Sequence, residues 1–296
     1  MKRILIAGCG DIAMRVAPLL RGHYRLFGLA RRAERFAELR AACISPLHGD
    51  LDDRASLARI AGLADVVLHF APPSSGTRLK NDDRERPGID LRTHNLLAAL
   101  SHGKLPERLV YISTSGVYGD CGGAPVSETH PLNPQTARAR LRANAERQIR
   151  DWAGRNQVRA AILRVPGIYA HDRLPLERLH AHTPAIVHEE DSYTSHIHAD
   201  DLARIVLAAL RHARPNRVYH TSDDSRMKMG DYFDAIADAH GLPRPPRLPR
   251  AEVERNVPPA LWSFMNESRR LSNERMKKEL KIKLQYPTVV DALASI

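Results

Sequence analysis

Two glycines near the start of the chain have the spacing of a turn that binds phosphate groups. Gly8 and Gly10 belong to the segment G-C-G-D-I-A, which lies between a short apolar run and an apolar helical pattern. In such a strand, turn and helix, the first glycine permits the tight turn and the second lets the backbone approach a pyrophosphate. The free N–H groups at the start of the helix also attract anions. The alternative is a glycine-rich turn that binds no ligand. We predict a dinucleotide phosphate site formed by Gly8, Gly10, Asp11, Ile12 and Ala13.

Two arginines stand where the second strand should end. Arg31 and Arg32 are adjacent, and the next carboxylate in the chain is Glu34. An Asp or Glu at this point, about 20 residues past the glycine motif, would hydrogen-bond the ribose 2′-OH of NAD. Two guanidinium groups instead suit the 2′-phosphate of NADP, by charge and by bidentate hydrogen bonding. The alternative is that both belong to an Arg-rich surface. We predict that NADP is preferred over NAD.

The elements that would position these residues follow from the hydrophobic pattern. Short apolar runs alternate with helical patterns through the first half of the chain, which predicts βαβ units and a parallel sheet. We predict strands at residues 4–7, 24–29, 43–47, 64–70, 108–113, 158–164 and 217–220. We predict helices at residues 12–20, 33–42, 56–60, 91–100, 135–153, 200–210 and 230–240. The proline-rich residues 242–250 are predicted to hold no regular structure.

These elements predict an α/β protein with a doubly wound parallel (Rossmann) sheet and a smaller C-terminal substrate domain. After residue 165 the prolines become denser and the alternation of strand and helix fades. We expect residues 1–166, together with 192–222, to form the cofactor-binding domain. Residues 167–191 and 223–296 would then form the small substrate-binding domain.

Composition excludes several classes of protein. The chain has 296 residues, 43% of them hydrophobic and 27% charged, which is typical of a soluble globular protein. No run approaches the roughly 18 apolar residues of a membrane span, and Gly8 interrupts the opening apolar stretch before it could act as a signal peptide. The three cysteines share no C-x-x-C spacing, which predicts neither a disulfide framework nor a metal site. We expect a cytoplasmic protein.

The formal net charge of +11 raises the question of a nucleic-acid partner. The basic residues, 37 of 45 of them arginine, are spread along the chain among acidic ones. A nucleic-acid-binding protein more often concentrates them on one face, beside a helix-turn-helix, zinc-finger or RNP motif. None of these motifs is present, so we predict a solvated basic surface and no nucleic-acid partner. An anionic cofactor or substrate is compatible with the charge.

Six further segments, in order along the chain, carry a resemblance to a known family. They are H-G-D-L at 48–51, H-F-A-P at 69–72, S-T-S-G-V-Y-G at 113–119, L-R-V-P-G-I-Y at 163–169, S-H-I-H-A-D-D at 195–201 and the terminal segment 280–293. The chain resembles the extended short-chain dehydrogenase/reductases of the NAD(P)-dependent epimerase/dehydratase type. The resemblance implies that the cofactor is also bordered by Asp50, Leu51, Phe70, Ala71, Pro72 and Pro166. It implies that Thr114 occupies the position of the family's catalytic Ser or Thr.

The chain departs from that family at its catalytic helix. The family uses a Y-x-x-x-K pair on one helix face, where the ammonium lowers the pKa of the phenol. Alignment on Glu146 puts Arg138 at the tyrosine position and Arg142 at the lysine position. Residues 105–227 contain no lysine and residues 119–168 no tyrosine, so a register shift does not restore the pair. Arg142 could bind the cofactor as a cation, whereas the guanidinium of Arg138 does not deprotonate and is no acid–base group.

Other side chains could replace the missing tyrosine. The resemblance brings Tyr193 and His196 near the substrate, and either could act as the acid–base group beside Thr114. His196 and His198 alternate on a predicted strand and would face the same side of it. A metal site would need a third ligand, which no motif supplies. The alternative is that these residues only form hydrogen bonds at a domain interface.

Two functions remain open at this point. The first is an NADP(H)-dependent oxidoreductase or epimerase-like enzyme without the Tyr–Lys pair, acting on a small molecule of unknown identity. The second is a catalytically silent NADP(H)-binding sensor or regulatory protein, which the missing pair favours. Thr114 and the outline of a substrate domain favour the enzyme, which is our prediction. The resemblance implies that the helices at 91–100 and 135–153 correspond to those that pair across a two-fold axis between subunits in many relatives, so a homodimer is possible. Five arginines between residues 138 and 150 would weaken such an interface.

Overall fold

The apolar runs form one parallel sheet in the computed structural model, which describes residues 1–74 and 88–295. The strands are β1 (Lys2–Ala7), β2 (Tyr24–Ala30), β3 (Ile44–His48), β4 (Val66–His69), β5 (Arg108–Thr114), β6 (Pro125–Val126), β7 (Arg159–Val165), β8 (Gly167–Tyr169), β9 (Ala185–Ile186), β10 (Tyr193–Thr194), β11 (His196–His198), β12 (Arg217–His220), β13 (Met227–Lys228), β14 (Arg247–Leu248) and β15 (Arg270–Leu271). The helices are α1 (Asp11–Leu20), α2 (Phe36–Ala41), α3 (Leu91–Leu100), α4 (Ala137–Asn156), α5 (Leu176–His180), α6 (Ala199–His212), α7 (Met229–Ala239), α8 (Arg250–Asn256), α9 (Pro259–Met265), α10 (Glu274–Leu280) and α11 (Val289–Leu293).

The seven long strands explain where a ligand can bind. Their order is β12-β7-β5-β4-β1-β2-β3, and all neighbouring pairs are parallel. The chain runs outward from β1 to β3 and then crosses to β4 on the other side of β1. Open sheets of this kind bind ligands at such a switch point, outside the carboxyl ends of the strands. The predicted fold class, a doubly wound α/β sheet, is confirmed.

Alternate residues of the central strand supply two separate cores, one on each face of the sheet. Ile4 and Ile6 are fully buried among residues of α1, α6 and α10. Leu5 and Ala7 are fully buried on the opposite face, among residues of α3 and α4. A sheet covered by helices on both faces is rigid, so the loops at its carboxyl edge are held in defined positions.

A third apolar cluster lies apart from these two cores. It includes Tyr169, Leu179, Phe233, Ile236 and Val289, from segments outside the large sheet. Four two-stranded pairs accompany it, formed by β6 with β15, β8 with β11, β9 with β14 and β10 with β13. The division of the chain into two domains stays a prediction, and its ranges include residues 75–87 and 296, which lie outside the described residues. No described helix is long and apolar enough to span a lipid bilayer.

Two local predictions were wrong. The proline-rich segment 242–250 does contain regular structure, because Arg247–Leu248 pairs with Ala185–Ile186 and helix α8 begins at Arg250. Proline lacks an N–H donor but keeps its acceptor, and the carbonyl oxygen of Pro246 accepts from the N–H of Ala185 at 2.9 Å. The predicted helices at 33–42 and 56–60 are partly or wholly 3₁₀ turns, at Ala33–Arg35 and Arg54–Ile60.

A buried ion pair joins helix α4 to the sheet. The Arg164 guanidinium on β7 lies 2.7 Å from the Glu146 carboxylate, and both side chains are 3% exposed. Arg164 also donates to the hydroxyl of Tyr118, and Ser113 Oγ donates to Glu146. The pair therefore fastens helix α4 to the carboxyl ends of β5 and β7.

Replacing Glu146 with glutamine should strongly destabilise the protein. The change leaves the Arg164 guanidinium buried without a counter-charge, which costs about 3–5 kcal/mol of unfolding free energy. Glu274→Gln is the matched control, because its partner Lys278 and Glu274 itself are 76% and 73% exposed. We expect that control to change stability by less than about 0.5 kcal/mol. Urea unfolding measures both, and equal effects would contradict the role assigned to the buried pair.

Candidate functional site

The glycine turn at the end of β1 has two glycines in different surroundings. Gly8 has a φ of +105°, and a Cβ there would lie 2.3 Å from the backbone nitrogen of Ala71, so this position requires glycine. Gly10 is the N-cap of α1 and has no side-chain cap, and a Cβ there would meet no atom within 4 Å. The backbone of Gly10 therefore borders open space at a helix N-terminus. Ile12 and Ala13 are buried in the core, so only their backbone faces the turn.

Residues just past four different strands surround one cavity of about 280 Å³, which we call the switch-point cavity. The predicted cofactor residues that line it are Gly8, Gly10, Arg31, Arg32, Asp50, Leu51, Ala71 and Pro72. They follow β1, β2, β3 and β4, whose carboxyl ends lie along the same edge of a parallel sheet. The structure thus brings together segments that are up to 64 residues apart in the chain.

The switch-point cavity is strongly basic. Besides Arg31 and Arg32 it is lined by Arg35 and Arg92, which sequence reasoning missed. Arg35 donates to the carbonyl oxygen of Cys9 at 2.9 Å, which ties it to the glycine turn. Its place in the Arg31–Arg35 cluster was a usable signal, whereas nothing in the sequence marked Arg92 on a distant helix.

The carboxylate Asp52 organises part of this basic wall. Arg92 donates to it through two nitrogens, at 2.8 and 2.7 Å, whereas Arg31 Nη1 is 3.9 Å away. The Arg31 side chain remains 55% exposed. Arg92 is therefore firmly held, and Arg31 keeps N–H donors that can turn toward a ligand.

A second cavity, of about 560 Å³, opens at the carboxyl ends of β5 and β7, and we call it the cleft. The predicted residues Thr114, Pro166, Tyr193 and His196 all line it. The structure adds Arg138, Arg173, Arg178, Tyr232, Phe264 and Arg269 to its wall. Of these, sequence reasoning had considered Arg138 alone, because the others come from segments without a recognisable motif.

Thr114 is oriented by the backbone around it. It is the last residue of β5 and the N-cap of the 3₁₀ turn Ser115–Tyr118, and its Oγ1 accepts from the N–H of Gly116 at 3.2 Å. An accepting hydroxyl still has its own proton to donate. Thr114 can therefore offer a hydrogen bond to an oxygen atom in the cleft.

His196 is buried and its ring stacks on Tyr232, with centroids 4.0 Å apart. Its Nδ1 has no hydrogen-bond partner among the described residues. Burial lowers its pKa to about 3, so the imidazole is neutral at pH 7. His196 and His198 both contact the ring of Tyr169, as the predicted strand implied, but His198 lines a separate cavity. A neutral His196 can form hydrogen bonds but is a weak source of protons.

Arg142 and Phe70 lie at the strand ends rather than in either cavity wall. Arg142 Nη1 donates to the carbonyl oxygen of Ile112 at 2.7 Å, to the hydroxyl of Tyr111 at 3.0 Å and to the carbonyl oxygen of Ala71 at 3.3 Å. Phe70 packs against the core. Arg142 thus connects Ala71, in the switch-point cavity, to the strand that ends at Thr114.

Asp11 stands at the first position of α1 but does not bring an unpaired negative charge to the glycine turn. Its carboxylate lies 3.0 Å from Arg15 and 2.6 Å from Arg173. The paired carboxylate leaves the partial positive charge of the helix N-terminus available to an anion.

Within residues 1–74 and 88–295, no group of three or more His, Cys, Asp or Glu side chains could hold a metal ion.

Acidification should destabilise the protein through its buried histidines. Burial lowers the pKa of His69, His196 and His220 to about 3 from the usual 6.5. Below pH 6.5 the unfolded chain takes up protons that the native state does not, so stability falls as pH falls from 6.5 toward 3. Each histidine contributes a slope of about 1.4 kcal/mol per pH unit in that window. Asp223, whose pKa is raised to about 7 by burial, acts in the opposite direction between about pH 4 and 7.

The variant His196→Gln tests this pH dependence. Urea unfolding between pH 7 and 4.5 should show a slope lower by about one proton than in the wild-type protein. His102→Gln is the control, because His102 is exposed, and it should leave the slope unchanged. An unchanged slope in His196→Gln would mean that this imidazole is protonated in the native state.

Comparison with known proteins agrees with this architecture. The model of the "NAD dependent epimerase/dehydratase family" matches residues 4–221. The chain is 29% identical over 120 residues to a dTDP-glucose 4,6-dehydratase of Mycolicibacterium smegmatis, which is 39% of this chain and 36% of that protein. It is 21% identical over 173 residues to the dTDP-D-glucose 4,6-dehydratase of Homo sapiens, covering 56% and 49%. The matched regions therefore span less than half the length of these relatives.

Solved structures match over the whole chain. A conserved protein of unknown function from Silicibacter pomeroyi is 27% identical, with a TM-score of 0.79 over 100% of this chain and 98% of that one. UDP-glucuronic acid 4-epimerase from Bacillus cereus, solved with UDP-glucuronic acid and NAD, is 20% identical, with a TM-score of 0.75 over 99% and 96%. At 20% identity, the similarity to the Bacillus cereus structure shows only that the two proteins share a fold. The family model covers residues 4–221, which is most of the chain, and the solved structures share the fold of this protein. The protein therefore belongs to the NAD dependent epimerase/dehydratase family.

Proposed function

We propose that this protein is an NADP(H)-dependent oxidoreductase or epimerase-like enzyme that acts on a small molecule in the cleft. The observation that carries the proposal is the position of the cleft. It opens at the ends of β5 and β7, on the same sheet edge as the glycine turn at the end of β1, with only β4 between them. A dinucleotide laid across this edge would have its phosphates at the glycine turn and its reactive end toward the cleft.

The residues of the switch-point cavity fit a dinucleotide. The open space beside Gly10 would receive the pyrophosphate, and Asp50 and Leu51 would lie beside the adenine. Ala71, Pro72 and Pro166 would border the nicotinamide half. Phe70 and Arg142 would support that border from outside the two cavity walls, Arg142 through its hydrogen bond to the carbonyl oxygen of Ala71. When bound, the dinucleotide supplies the position that accepts or donates a hydride. A Bacillus cereus structure of the same fold was solved with NAD, which supports a dinucleotide of this type.

The preference for NADP over NAD rests on the basic wall of the same cavity. Arg31 and Arg32 follow the second strand, and Arg35 joins them in the cavity wall. A 2′-phosphate carries two negative charges near neutrality and can accept several N–H donors. The half-exposed Arg31 side chain has donors that are not committed to a near carboxylate.

The chain's own residues would then bind and orient the substrate. The Thr114 hydroxyl would donate a hydrogen bond to the reacting oxygen, as its capping geometry allows. Tyr193 is the better acid–base candidate, because the phenol lines the cleft while burial keeps His196 neutral. His196 would hydrogen-bond the substrate without exchanging a proton.

Titration and isotope transfer test the proposal. Calorimetry with NADPH, NADP, NADH and NAD should show binding and the preference for the phosphorylated forms. NADPH deuterated at nicotinamide C4 should then transfer deuterium to a product from a panel of carbonyl and sugar substrates. Thr114→Val should reduce kcat by about 10²–10³-fold without changing NADPH affinity. If no dinucleotide binds, the proposal is wrong.

A catalytically silent sensor is the second candidate. Positions 138 and 142 align with the tyrosine and the lysine of the family but are arginines in this chain. Their presence favours the sensor. A sensor would bind NADPH and show no deuterium transfer to any member of the panel, and Thr114→Val would then have no activity to reduce. The isotope experiment therefore separates the two candidates.

A further inference from the structure

Basic residues that are spread along the sequence come together at one edge of the large sheet. Five of its seven strands have a basic residue at their first or second position. Because all neighbouring strands are parallel, these positions lie on the same edge, which we call the amino edge. The switch-point cavity and the cleft lie at the opposite edge. The residues at the strand starts are Lys2, Arg3, Arg25, Arg108, Arg159 and Arg217.

Backbone hydrogen bonds join the strand starts into one continuous edge. The N–H of Asp65 donates to the carbonyl oxygen of Arg3 at 2.9 Å, and that of Glu107 donates to Asp65 at 2.8 Å. The N–H of Arg159 then donates to the carbonyl oxygen of Glu107 at 3.0 Å. Adjacent strands are about 4.8 Å apart, so the basic strand starts from β12 to β2 extend over about 24 Å.

The ends of three helices add further arginines to the amino edge. Helices α1, α4 and α6 end shortly before β2, β7 and β12 begin. The exposed Arg21, Arg155 and Arg211 lie at these helix ends. A cation at a helix C-terminus stabilises the helix dipole, but that effect does not account for the arginines at the strand starts.

Like charges are neighbours on this edge. Arg108 is the register partner of Arg159 on the adjacent strand. Arg3 is likewise the register partner of Arg25. Loss of water and the charge of Arg159 lower the pKa of Arg108, which still carries its charge at neutral pH. Like charges side by side on adjacent strands destabilise a sheet, and a bound anion would relieve the repulsion.

The carboxylates that form ion pairs with this edge leave much of its charge uncompensated. Glu107 pairs with Lys2, Asp65 with Lys104, and Glu279 with Arg217. Six arginines of the amino edge form no ion pair with any carboxylate in residues 1–74 and 88–295. They are Arg21, Arg25, Arg108, Arg155, Arg159 and Arg211.

We propose that the amino edge binds a nucleic acid through its phosphodiester backbone, without reading its sequence. The planar fork of a guanidinium matches a phosphate with two hydrogen bonds. One strand of a duplex has a phosphate about every 3.4 Å along the axis, so an edge of about 24 Å extends over about seven of them. Contacts to phosphates alone carry no sequence information, in agreement with the absence of a base-reading motif.

The arrangement in the fold changes the interpretation of the net charge. The sequence predicted no nucleic-acid partner because the basic residues are spread along the chain. The parallel sheet concentrates many of them on one face, as is typical of nucleic-acid-binding proteins. An anionic membrane is a poorer partner, because membrane surfaces usually also contact several apolar side chains. Met1 is the one large, exposed apolar side chain next to a strand start in the described part of the chain.

Fluorescence anisotropy tests the proposal with the full-length protein. The probes are labelled DNA duplexes and single-stranded RNAs of about 20 nucleotides, each in two unrelated sequences, in about 0.05–0.2 M NaCl. The edge variant is Arg25→Gln with Arg159→Gln. The control variant, Arg140→Gln with Arg255→Gln, removes the same charge from exposed positions elsewhere. Arg140 lies about 22 Å from Arg155 along α4, and Arg255 is on α8.

The wild-type protein is expected to bind at least one type of probe, with similar affinity for both sequences. The edge variant should bind at least about tenfold more weakly, because two charge-assisted contacts are lost. The slope of log affinity against log salt should also become shallower by about 2, one counterion contact for each arginine. The control variant should keep the wild-type slope. Arg25→Lys with Arg159→Lys keeps the charge and should restore most of the slope, and melting temperatures check folding.

Three results would overturn the proposal. The first is a wild-type Kd weaker than about 10⁻⁴ M for every probe at about 0.15 M NaCl. The second is an equal loss in the edge and control variants, which would indicate an effect of net charge alone. The third is displacement of the nucleic acid by NADP, which would place it in the switch-point cavity. Binding to vesicles of phosphatidylcholine and phosphatidylserine without binding to nucleic acid would assign the edge to a membrane instead.

This inference is independent of the function proposed for the cleft. The edge variant should bind NADPH as the wild type does, since neither arginine lines the switch-point cavity. Failure of NADPH binding would therefore leave the nucleic-acid site standing, and failure of nucleic-acid binding would leave the enzyme standing.

Discussion

Replacing Gly10 with alanine is expected to abolish dinucleotide binding and to leave the protein folded. The backbone of Gly10 has a φ of −88°, which alanine adopts without strain, and its Cβ would touch no protein atom within 4 Å. The methyl group would occupy the space that we assign to the pyrophosphate. A steric loss of about 3 kcal/mol or more corresponds to an affinity at least about 100-fold lower. Calorimetric titration with NADPH and a thermal melt of the same sample measure the two effects.

Gly8→Ala is the control that separates binding from folding. Its φ of +105° is strained for alanine, and its Cβ would lie 2.3 Å from the nitrogen of Ala71, a backbone atom that has no room to move. Strain and overlap together should cost roughly 3 kcal/mol or more of stability. We expect Gly8→Ala to lose both stability and binding, whereas Gly10→Ala loses binding alone. Normal NADPH affinity in Gly10→Ala would place the dinucleotide elsewhere.

Replacing Arg31 with aspartate is expected to reverse the cofactor preference. The change removes a charge-assisted hydrogen bond to the 2′-phosphate and introduces repulsion, which together should lower NADPH affinity about 100-fold. The new carboxylate could instead accept a hydrogen bond from a ribose 2′-OH, so NADH affinity should hold or rise. The folded state should tolerate the change, because the Arg31 side chain is 55% exposed. The one ion pair that is lost is the contact of Arg31 Nη1 with Asp52, which is 3.9 Å long.

Arg40→Asp is the matched control for this experiment. Arg40 is an exposed arginine on α2 that does not line the switch-point cavity, and its reversal changes the net charge by the same amount. A fall in NADPH affinity common to both variants would indicate a general effect of net charge. A fall in Arg31→Asp alone would indicate a specific contact. Equal affinity of all proteins for NADPH and NADH would contradict the NADP preference.

Local sequence determined the elements of the fold and the turn that starts the site. The helix predicted at 91–100 has those bounds in the structure, because its apolar periodicity and its position after Asp90 depend only on near neighbours. Gly8 and Gly10 were recognisable for the same reason, since strand, turn and helix follow one another within 20 residues. The edge of a parallel sheet then places residues such as Asp50 and Ala71 together without further information.

Only the tertiary structure decided which side chains meet in the cleft. Arg178 and Phe264 belong to short helices with no motif, and they reach the cleft because their segments pack against β8, β9 and α7. The ion pair between Glu146 and Arg164 likewise joins a helix to a strand by burial. Periodicity and turn chemistry act over a few residues, whereas the wall of a cavity is assembled by packing between distant segments. For that reason the sequence determined the fold and the glycine turn, whereas the tertiary structure alone decided which side chains form the wall of the cleft.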